Sequence, residues 1–210
     1  MKPILSLLVL GFALSLCNLT GKLNKETNKT ADPAKSGSSS SDTAEVERPT
    51  ANAAQQAALE GGQNIKWDQQ GMSWTVPAQW KETSTDTKMF TWRSPGGSDA
   101  ANLIVSISTM DESFPTDVSI KAFYDGAKTR AKNGEVDEVK WVEIDGLKGV
   151  QFRESNPEKP DDFRRLQWLA YRKYAGQVQM VNLMLSSNGR GFPKHQDAMY
   201  GVLYSTKLVH

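Results

Sequence analysis

The stretch VKWVEIDGLKGVQFRES, residues 139–155, places the pair Asp145–Gly146 between two runs of strand-forming residues. Asp-Gly is the strongest short signal for a β-hairpin, because both residues tolerate the positive φ angles that a two-residue turn requires. The segment therefore predicts two antiparallel strands joined by a tight turn. The rest of the fold can be worked out from this hairpin in both directions.

More strands are predicted on either side of this hairpin. Downstream, RRLQWLAYRKY (residues 164–174) and QVQMVNLMLSS (177–187) flank Ala175–Gly176 and predict a second hairpin. Upstream, apolar residues alternate with polar ones in a pattern that is typical of strands with one buried face. The upstream segments are GMSWTVPAQW (71–80), KMFTWR (88–93) and NLIVSISTM (102–110).

Two helices interrupt and close this series of strands. In SIKAFYDGAKTRAKNG (residues 119–134), Ser119 is the predicted N-cap and Asn133–Gly134 the predicted end. PKHQDAMYGVLYSTKL (193–208) predicts a final helix with an apolar stripe. The residues predicted to form the buried face of the first helix are Ile120, Phe123, Ala127 and Ala131.

The order of these elements predicts an α+β domain. Strands joined mostly by hairpins form an antiparallel sheet, and helices at either end of the series can cover it. We expect an α/β/α sandwich with a mostly antiparallel sheet of about six to seven strands.

Three sequence motifs resemble those of proteins with the PsbP/Mog-like fold. They are the opening G-x-S-x-x-x-P-x-x-W (Gly71 to Trp80), the hairpin I-D-G-x-x-G (Ile144 to Gly149) and the closing LYSTKL (203–208). The resemblance covers residues 64–210 and lies in the pattern and order of elements. It implies a protein that binds or helps to assemble other proteins, and fold alone does not transfer a specific function.

The N-terminus predicts export. MKPILSLLVLGFALSLC begins with a basic residue and continues with an apolar run that is too short to span a membrane, as in a signal peptide over residues 1–16. LSLC resembles a bacterial lipobox, with Leu16 in the place usually taken by a small residue, and predicts a lipid on Cys17. One alternative is cleavage after Ser15, which would release a soluble secreted protein. The other is a cysteine without a role.

Residues 17–63 are predicted to be a lipidated cysteine followed by a disordered tether, and 64–210 the globular domain. The tether is rich in Ser, Ala and Thr and lacks aromatic residues, so it has too little apolar surface to offset chain entropy. Within it, Ala51 to Glu60 could form a nascent helix that Gly61 and Gly62 would end.

Charge and chemistry exclude several functions. With 25 Lys and Arg against 24 Asp and Glu, the net charge of +1 argues against nucleic acid and against binding to anionic membrane surfaces through charge. His195 is the only histidine besides the last residue, so neither a metal site nor a catalytic triad is expected. The carboxylate pairs Asp111–Glu112 and Asp161–Asp162 lie in predicted loops. No cofactor is expected.

The stretch RRLQWLAYRKY contains the candidate binding residues. On a strand Arg164, Trp168 and Arg172 share one face, and Tyr171 lies on the other. Arginine beside aromatic residues resembles the hot spots of protein interfaces. The alternative is structural, with Trp168 in the core and the arginines paired with acids of neighbouring strands. The acids available for such pairs include Glu143 and Glu154.

These features predict an exported, lipid-anchored, non-enzymatic envelope protein. It would be attached to the cell membrane or outer membrane by its lipid, with the domain in the periplasm or outside, and would bind a protein partner or assist assembly. The alternative is a secreted module that binds a small ligand in a cleft between sheet and helices. A hydrolase-type enzyme is the third interpretation, and the missing nucleophile, base and metal sets argue against it.

Overall fold

A computed structural model describes residues 45–209. The predicted signal peptide, Cys17 and most of the predicted tether lie outside this range. The described elements are β1 Val46–Glu47, α1 Ala53–Ala58, β2 Gln63–Trp67, β3 Met72–Val76, β4 Lys81–Thr85, β5 Met89–Arg93, β6 Asn102–Met110, α2 Thr116–Lys132, β7 Val136–Ile144, β8 Leu147–Glu154, β9 Phe163–Tyr174, β10 Gln177–Asn188, α3 Phe192–Tyr204 and β11 Lys207–Leu208.

Two sheets organise the domain. The main sheet has eight strands in the order β1-β7-β8-β9-β10-β6-β5-β4, and only the β1–β7 pair is parallel. A small sheet, β11-β3-β2, joins α1 and α3 on one face of the main sheet, and α2 packs on the opposite face. The strands are more numerous than predicted, but the predicted α+β class is confirmed.

Both predicted hairpins are present. Asp145 and Gly146 join β7 to β8 with φ values of 48° and 82°, and Ala175 and Gly176 join β9 to β10 with 50° and 76°. Positive φ at both central residues is the requirement of the turn whose twist matches antiparallel strands. The sequence pair Asp-Gly signals this turn directly, whereas Ala175 adopts the left-handed conformation without a glycine's freedom.

Trp168 lies across the middle of the main sheet. Its indole nitrogen donates to the carbonyl oxygen of Val142 on β7, 3.3 Å away, and must pass over β8 to do so. It passes at Gly149, where an added Cβ would lie 2.6 Å from the indole nitrogen and would also clash with the carbonyl of Leu169. The last glycine of the I-D-G-x-x-G motif is therefore needed for this packing.

The main core lies between the main sheet and the layer of α3 and the small sheet. Trp67, Trp74 and Trp92 all stack against Phe90, with ring centroids 5.1 to 6.2 Å apart. Trp80 and Trp168 are also buried there, as expected for tryptophans that fill a core. A smaller core under α2 contains Ala127, Val136, Val150, Phe152 and Leu169.

The first predicted helix begins earlier than expected, and one of its predicted core residues is wrong. α2 starts at Thr116, and Pro115 rather than Ser119 occupies the N-cap position. Phe123 is 39% exposed, while Tyr124 packs on the sheet and stacks on Trp141 with centroids 4.7 Å apart. At 100° per residue Tyr124 shares the stripe of Ile120, Ala127 and Ala131 more closely than Phe123 does.

The final predicted helix is shorter than expected. α3 ends at Tyr204, and Lys207–Leu208 form β11, which pairs with β3. Ser205 is involved in both elements, since its hydroxyl donates to the carbonyl of Val202 and accepts from the amide of Thr75. This side chain replaces helical hydrogen bonds at the point where the chain turns into the small sheet.

The predicted domain start at residue 64 is too late. Within 45–62, β1 pairs with β7, and α1 packs against α3. Asn52 and Gln55 form a capping box at the start of α1, and the side chain of Gln55 is buried. Leu59 fills the space beside Gly201 of α3. Tertiary packing rather than apolar content thus orders this segment.

We predict that Gly149→Ala lowers the free energy of unfolding by about 3 kcal/mol, because the methyl group overlaps the Trp168 indole and a backbone carbonyl that cannot move cheaply. Urea denaturation of the two proteins measures this loss. Gly126→Ala in α2 is the matched control, since its Cβ would meet nothing within 4 Å. That change should raise stability by up to about 1 kcal/mol. Equal stability of Gly149→Ala and the wild type would contradict the packing argument.

Candidate functional site

The predicted binding residues of β9 separate into two groups. Arg164, Trp168 and Arg172 point toward the layer of α3 and the small sheet, and all three are buried. Tyr171 points to the α2 side and is partly exposed. The structure therefore does not bring the four residues together at one surface.

The contacts of the Arg164 side chain stabilise the fold and leave its charge compensated. Its Nη2 donates to Asp137 Oδ2 at 2.6 Å, its Nε donates to the Glu154 carbonyl at 2.8 Å, and its guanidinium lies 4.4 Å from the Phe192 ring centroid. Its carboxylate partner lies on β7, two strands away, and the predicted pairing with the Glu154 carboxylate is made by Arg165 instead. Glu143 pairs instead with Arg48, at 2.8 Å.

Tyr171 links α2 to the sheet. Its hydroxyl lies 2.8 Å from the Ser119 hydroxyl and donates toward the Met180 sulfur, and its ring packs against Phe114. Ser119, the predicted cap of the helix, is thus used for a tertiary hydrogen bond.

A cluster of polar groups connects α3 to β7 and β8. The Tyr200 hydroxyl donates to Glu138 Oε1 at 2.9 Å and accepts from Arg153 Nη1 at 3.0 Å, and Gln151 Nε2 donates to the same Glu138 oxygen at 2.6 Å. Burial raises the pKa of Tyr200 well above its usual value and that of Tyr204 to about 12. Both phenols therefore stay protonated near neutral pH, which suits structural donors and not general bases.

Residues 45–209 offer few side chains for metal or acid–base chemistry. No group of three or more His, Cys, Asp or Glu side chains there could hold a metal ion. His195 is half-buried on α3, and burial lowers its pKa. The loop carboxylates are exposed, and Asp161 pairs with Arg190. In the same range no helix is long and apolar enough to span a membrane.

No helix described by the structure covers one face of half of the main sheet. α2 packs on β7, β8 and β9, so no helix described by the structure covers the same face of β6, β5, β4 and most of β10. We call this surface the open face. Strand register places its side chains in three cross-strand rows. The rows are Lys81, Arg93, Asn102, Ser186 and Arg165; Ser84, Thr91, Ile104, Met184 and Gln167; and Met89, Ser106 and Asn182.

The open face is cationic at one end and mixed in the middle. None of its side chains is a carboxylate, and Lys81, Arg93 and Arg165 all lie in the first row. Arg165 is partly neutralised by Glu154, 3.0 Å away. Met89 is 44% exposed in the third row.

Phe123 borders this surface. It lies one helical turn after Ser119, which contacts β9, so both are on the flank of α2 that faces the open half of the sheet. The exposed phenyl ring of Phe123 adds an apolar wall beside the sheet. Phe123, which the sequence pattern wrongly predicted to be buried, is therefore part of a candidate interface.

A separate cleft of about 330 Å³ lies at the edge of the small sheet. Its lining includes Lys66, Ser73, Tyr174 and Lys207, with Asp68 as its acidic member. Its other lining residues are Gly71, Met72, Leu208 and Val209. We call it the Tyr174 cleft.

Comparison with known proteins shows similarity in structure only. No family model matches the chain, and no curated protein matches its sequence. Among solved structures, LpqN, which is involved in cell envelope biogenesis of Mycobacterium tuberculosis, matches with a TM-score of 0.52 and 12% identity over 71% of this chain and 86% of LpqN. At this identity the match shows a shared fold and no shared function.

Three further structures match with lower scores. Cyanobacterial PsbP of Synechocystis matches with a TM-score of 0.45 and 13% identity, over 70% of this chain and 92% of that one. The Ran-binding protein Mog1p of Saccharomyces cerevisiae matches with 0.42 and 9%, over 70% and 95%. A Bacteroides thetaiotaomicron protein matches with 0.46 and 12% over 71% of this chain, which spans 49% of that protein.

We predict that stability falls above about pH 10 and that Tyr200 causes much of the fall. Below that pH both states keep the phenol protonated. Above it the unfolded chain releases the proton and the folded chain, with its raised Tyr200 pKa, does not. The loss should reach about 1.4 kcal/mol per pH unit for this group.

Urea midpoints between about pH 9 and 11 measure this dependence in the wild type and in Tyr200→Phe. The variant should be less stable at neutral pH, because Glu138 and Arg153 lose a hydrogen-bond partner. Above pH 10 its free energy of unfolding should fall less steeply with pH than that of the wild type. The same pH dependence of the free energy of unfolding in both proteins would contradict the assignment to Tyr200.

Proposed function

We propose that this chain is an exported, lipid-anchored protein of a bacterial cell envelope, and that its domain binds a partner protein through the open face. The role is binding or assembly and not catalysis. The observation that carries the proposal is the open face itself, a broad sheet surface that no described helix covers and that contains no carboxylate side chain.

The chemistry of the open face defines the partner. Lys81 and Arg93 form a cationic end, and Ile104, Met184 and Met89 supply apolar area beside hydroxyl and amide groups. A partner segment with acidic residues at one end and small apolar residues along its length fits this pattern. A helix beside α2 is the natural form of this segment, because α2 already packs on the same face of the sheet.

The free edge of β4 is a poorer site. All five β4 residues are exposed, but Lys81 and Glu82 place charges there and the register shifts between Glu82 and Ser84. Charges and bulges are the usual protection of an edge strand against pairing with another strand. The partner is therefore expected on the face of the sheet and not on its edge.

The N-terminal sequence supports export and anchoring. The basic start, the short apolar run and Cys17 fit a lipoprotein signal, and the residues before Glu45 supply a polar spacer. More than one acyl chain is needed to hold a protein stably on a membrane. The similarity of the fold to LpqN, a protein of envelope biogenesis, is compatible with this location.

We predict that a photoreactive residue at Thr91, in the middle of the open face, forms a crosslink in the native cell envelope. Asn64, which is exposed on β2, is the control position and should give none. The crosslinked partner peptide should contain Asp or Glu. Combining the probe with Arg93→Glu should reduce the yield severalfold, because the charge attraction becomes repulsion.

The matched control for the charge change is Lys132→Glu, on the outer side of α2. It should leave the crosslink unchanged. An equal yield in Arg93→Glu and the wild type, or a crosslink at Asn64 only, would count against binding through the open face.

We predict that the mature protein begins at Cys17 and carries acyl chains. Intact mass after expression of the full chain in a bacterium measures this, and Cys17→Ser should lack the added mass. A mature wild-type chain that begins at Leu16 without lipid would refute anchoring and support the soluble secreted alternative. This result would leave partner binding by the domain untouched.

A further inference from the structure

The side chain of Arg172 is a buried cation without a carboxylate partner in the described chain. It is 8% exposed. Its Nε donates to Gln179 Oε1 at 3.0 Å and its Nη2 to the Gln70 carbonyl at 2.6 Å, and both acceptors are neutral. Residues 45–209 offer Nη1 no hydrogen-bond partner. A buried charge in this situation is costly, because buried charges are normally paired.

The Tyr174 cleft lies directly beside this charge. The Arg172 guanidinium stacks on the Tyr174 ring with 4.3 Å between its central carbon and the ring centroid. Tyr174 lines the cleft, and so does Gly71, the residue after the Gln70 carbonyl. An added Cβ at Gly71 would lie 2.8 Å from the Tyr174 hydroxyl, so this glycine gives the phenol its place. The unpaired cation is separated from the cleft by one aromatic ring.

The mouth of the cleft presents two more cations. Lys66 and Lys207 both pair with Ser73 in the small sheet, so the three residues form one cross-strand row. Lys207 Nζ lies 3.0 Å from Asp145, and Asp68 lines the cleft on the other side. With Arg172 included, three positive charges face two negative ones, which leaves the site net positive.

We propose that the Tyr174 cleft binds a compact oxyanion, either a phosphate group or a carboxylate. Lys66 and Lys207 hold the anion from two sides, and the hydroxyls of Ser73 and Tyr174 donate to it. Arg172 adds attraction from beneath the ring, where the low dielectric strengthens its field. Leu208 and Val209 provide an apolar side for the remainder of the ligand. This site is independent of the partner proposed for the open face.

Two-dimensional NMR of the full chain in detergent and phosphate-free buffer tests the proposal, with inorganic phosphate as the probe. Saturable shifts of the Gly71 and Ser73 amides are expected. Lys66→Gln should weaken binding about tenfold, since it removes a charge-assisted hydrogen bond without touching the core. Ser73→Ala should weaken it less. Lys132→Gln, an exposed lysine on α2, is the matched control and should bind as the wild type does.

Two results would overturn the proposal. One is a set of shifts that does not saturate and spreads over the exposed lysines. The other is an unchanged affinity in Lys66→Gln. Neither result depends on partner crosslinking at the open face, so the failure of this proposal and that of the proposed function are distinguishable.

Further ligands identify the source of the anion. Acetate and glycerol 3-phosphate separate a carboxylate from a phosphate ester, and Lys66-dependent binding of either supports the site. Flotation of the Cys17→Ser chain with vesicles of phosphatidic acid, against phosphatidylcholine alone, then separates a lipid headgroup from a free phosphate. Failure of all these anions to bind would remove the proposal.

Discussion

The fold depends on the passage of the Trp168 indole over Gly149. The indole lies on β9, its hydrogen bond ends on β7, and the strand between them must have no side chain at the crossing point. One residue type at one position therefore lets the largest side chain lie flat on three strands. The aliphatic side chains of α3 and the aromatic side chains of the small sheet pack in the same core. Close packing of this kind leaves little tolerance for added volume.

Two buried arginines on the same face of β9 differ in their hydrogen-bond partners, and this difference separates a structural role from a candidate binding role. Arg164 and Arg172 lie at opposite ends of the strand, and both are buried. Arg164 meets the Asp137 carboxylate and the Glu154 carbonyl, so its charge is compensated. Arg172 meets only neutral oxygens and leaves Nη1 without a partner in residues 45–209. A polar network that is fully satisfied stabilises a fold, while a buried polar group without a partner requires an explanation, such as a water or an ion.

The sequence could predict elements whose signal is local. The Asp145–Gly146 turn, the long strands and the class of the fold follow from turn chemistry and alternation. β4 could not be found, because an edge strand of sequence KETST has no apolar residue to mark it. α1 was expected only as a nascent helix in a disordered tether, because its stable order comes from contacts with α3 that the local sequence does not show. Alternation also could not show that both arginines of β9 face the core, because each face of that strand mixes cations with apolar residues.

The strand order also fixes where the open face lies relative to the rest of the chain. The described chain enters at β1, one edge of the main sheet, and the open face lies mostly on β6, β5 and β4 at the other edge. Eight strands about 4.8 Å apart put these edges roughly 30 Å from each other. The described chain therefore begins at the edge of the main sheet that is farthest from the open face. The strand order that leaves the open face uncovered by the described helices thus also separates it from the point where the described chain begins.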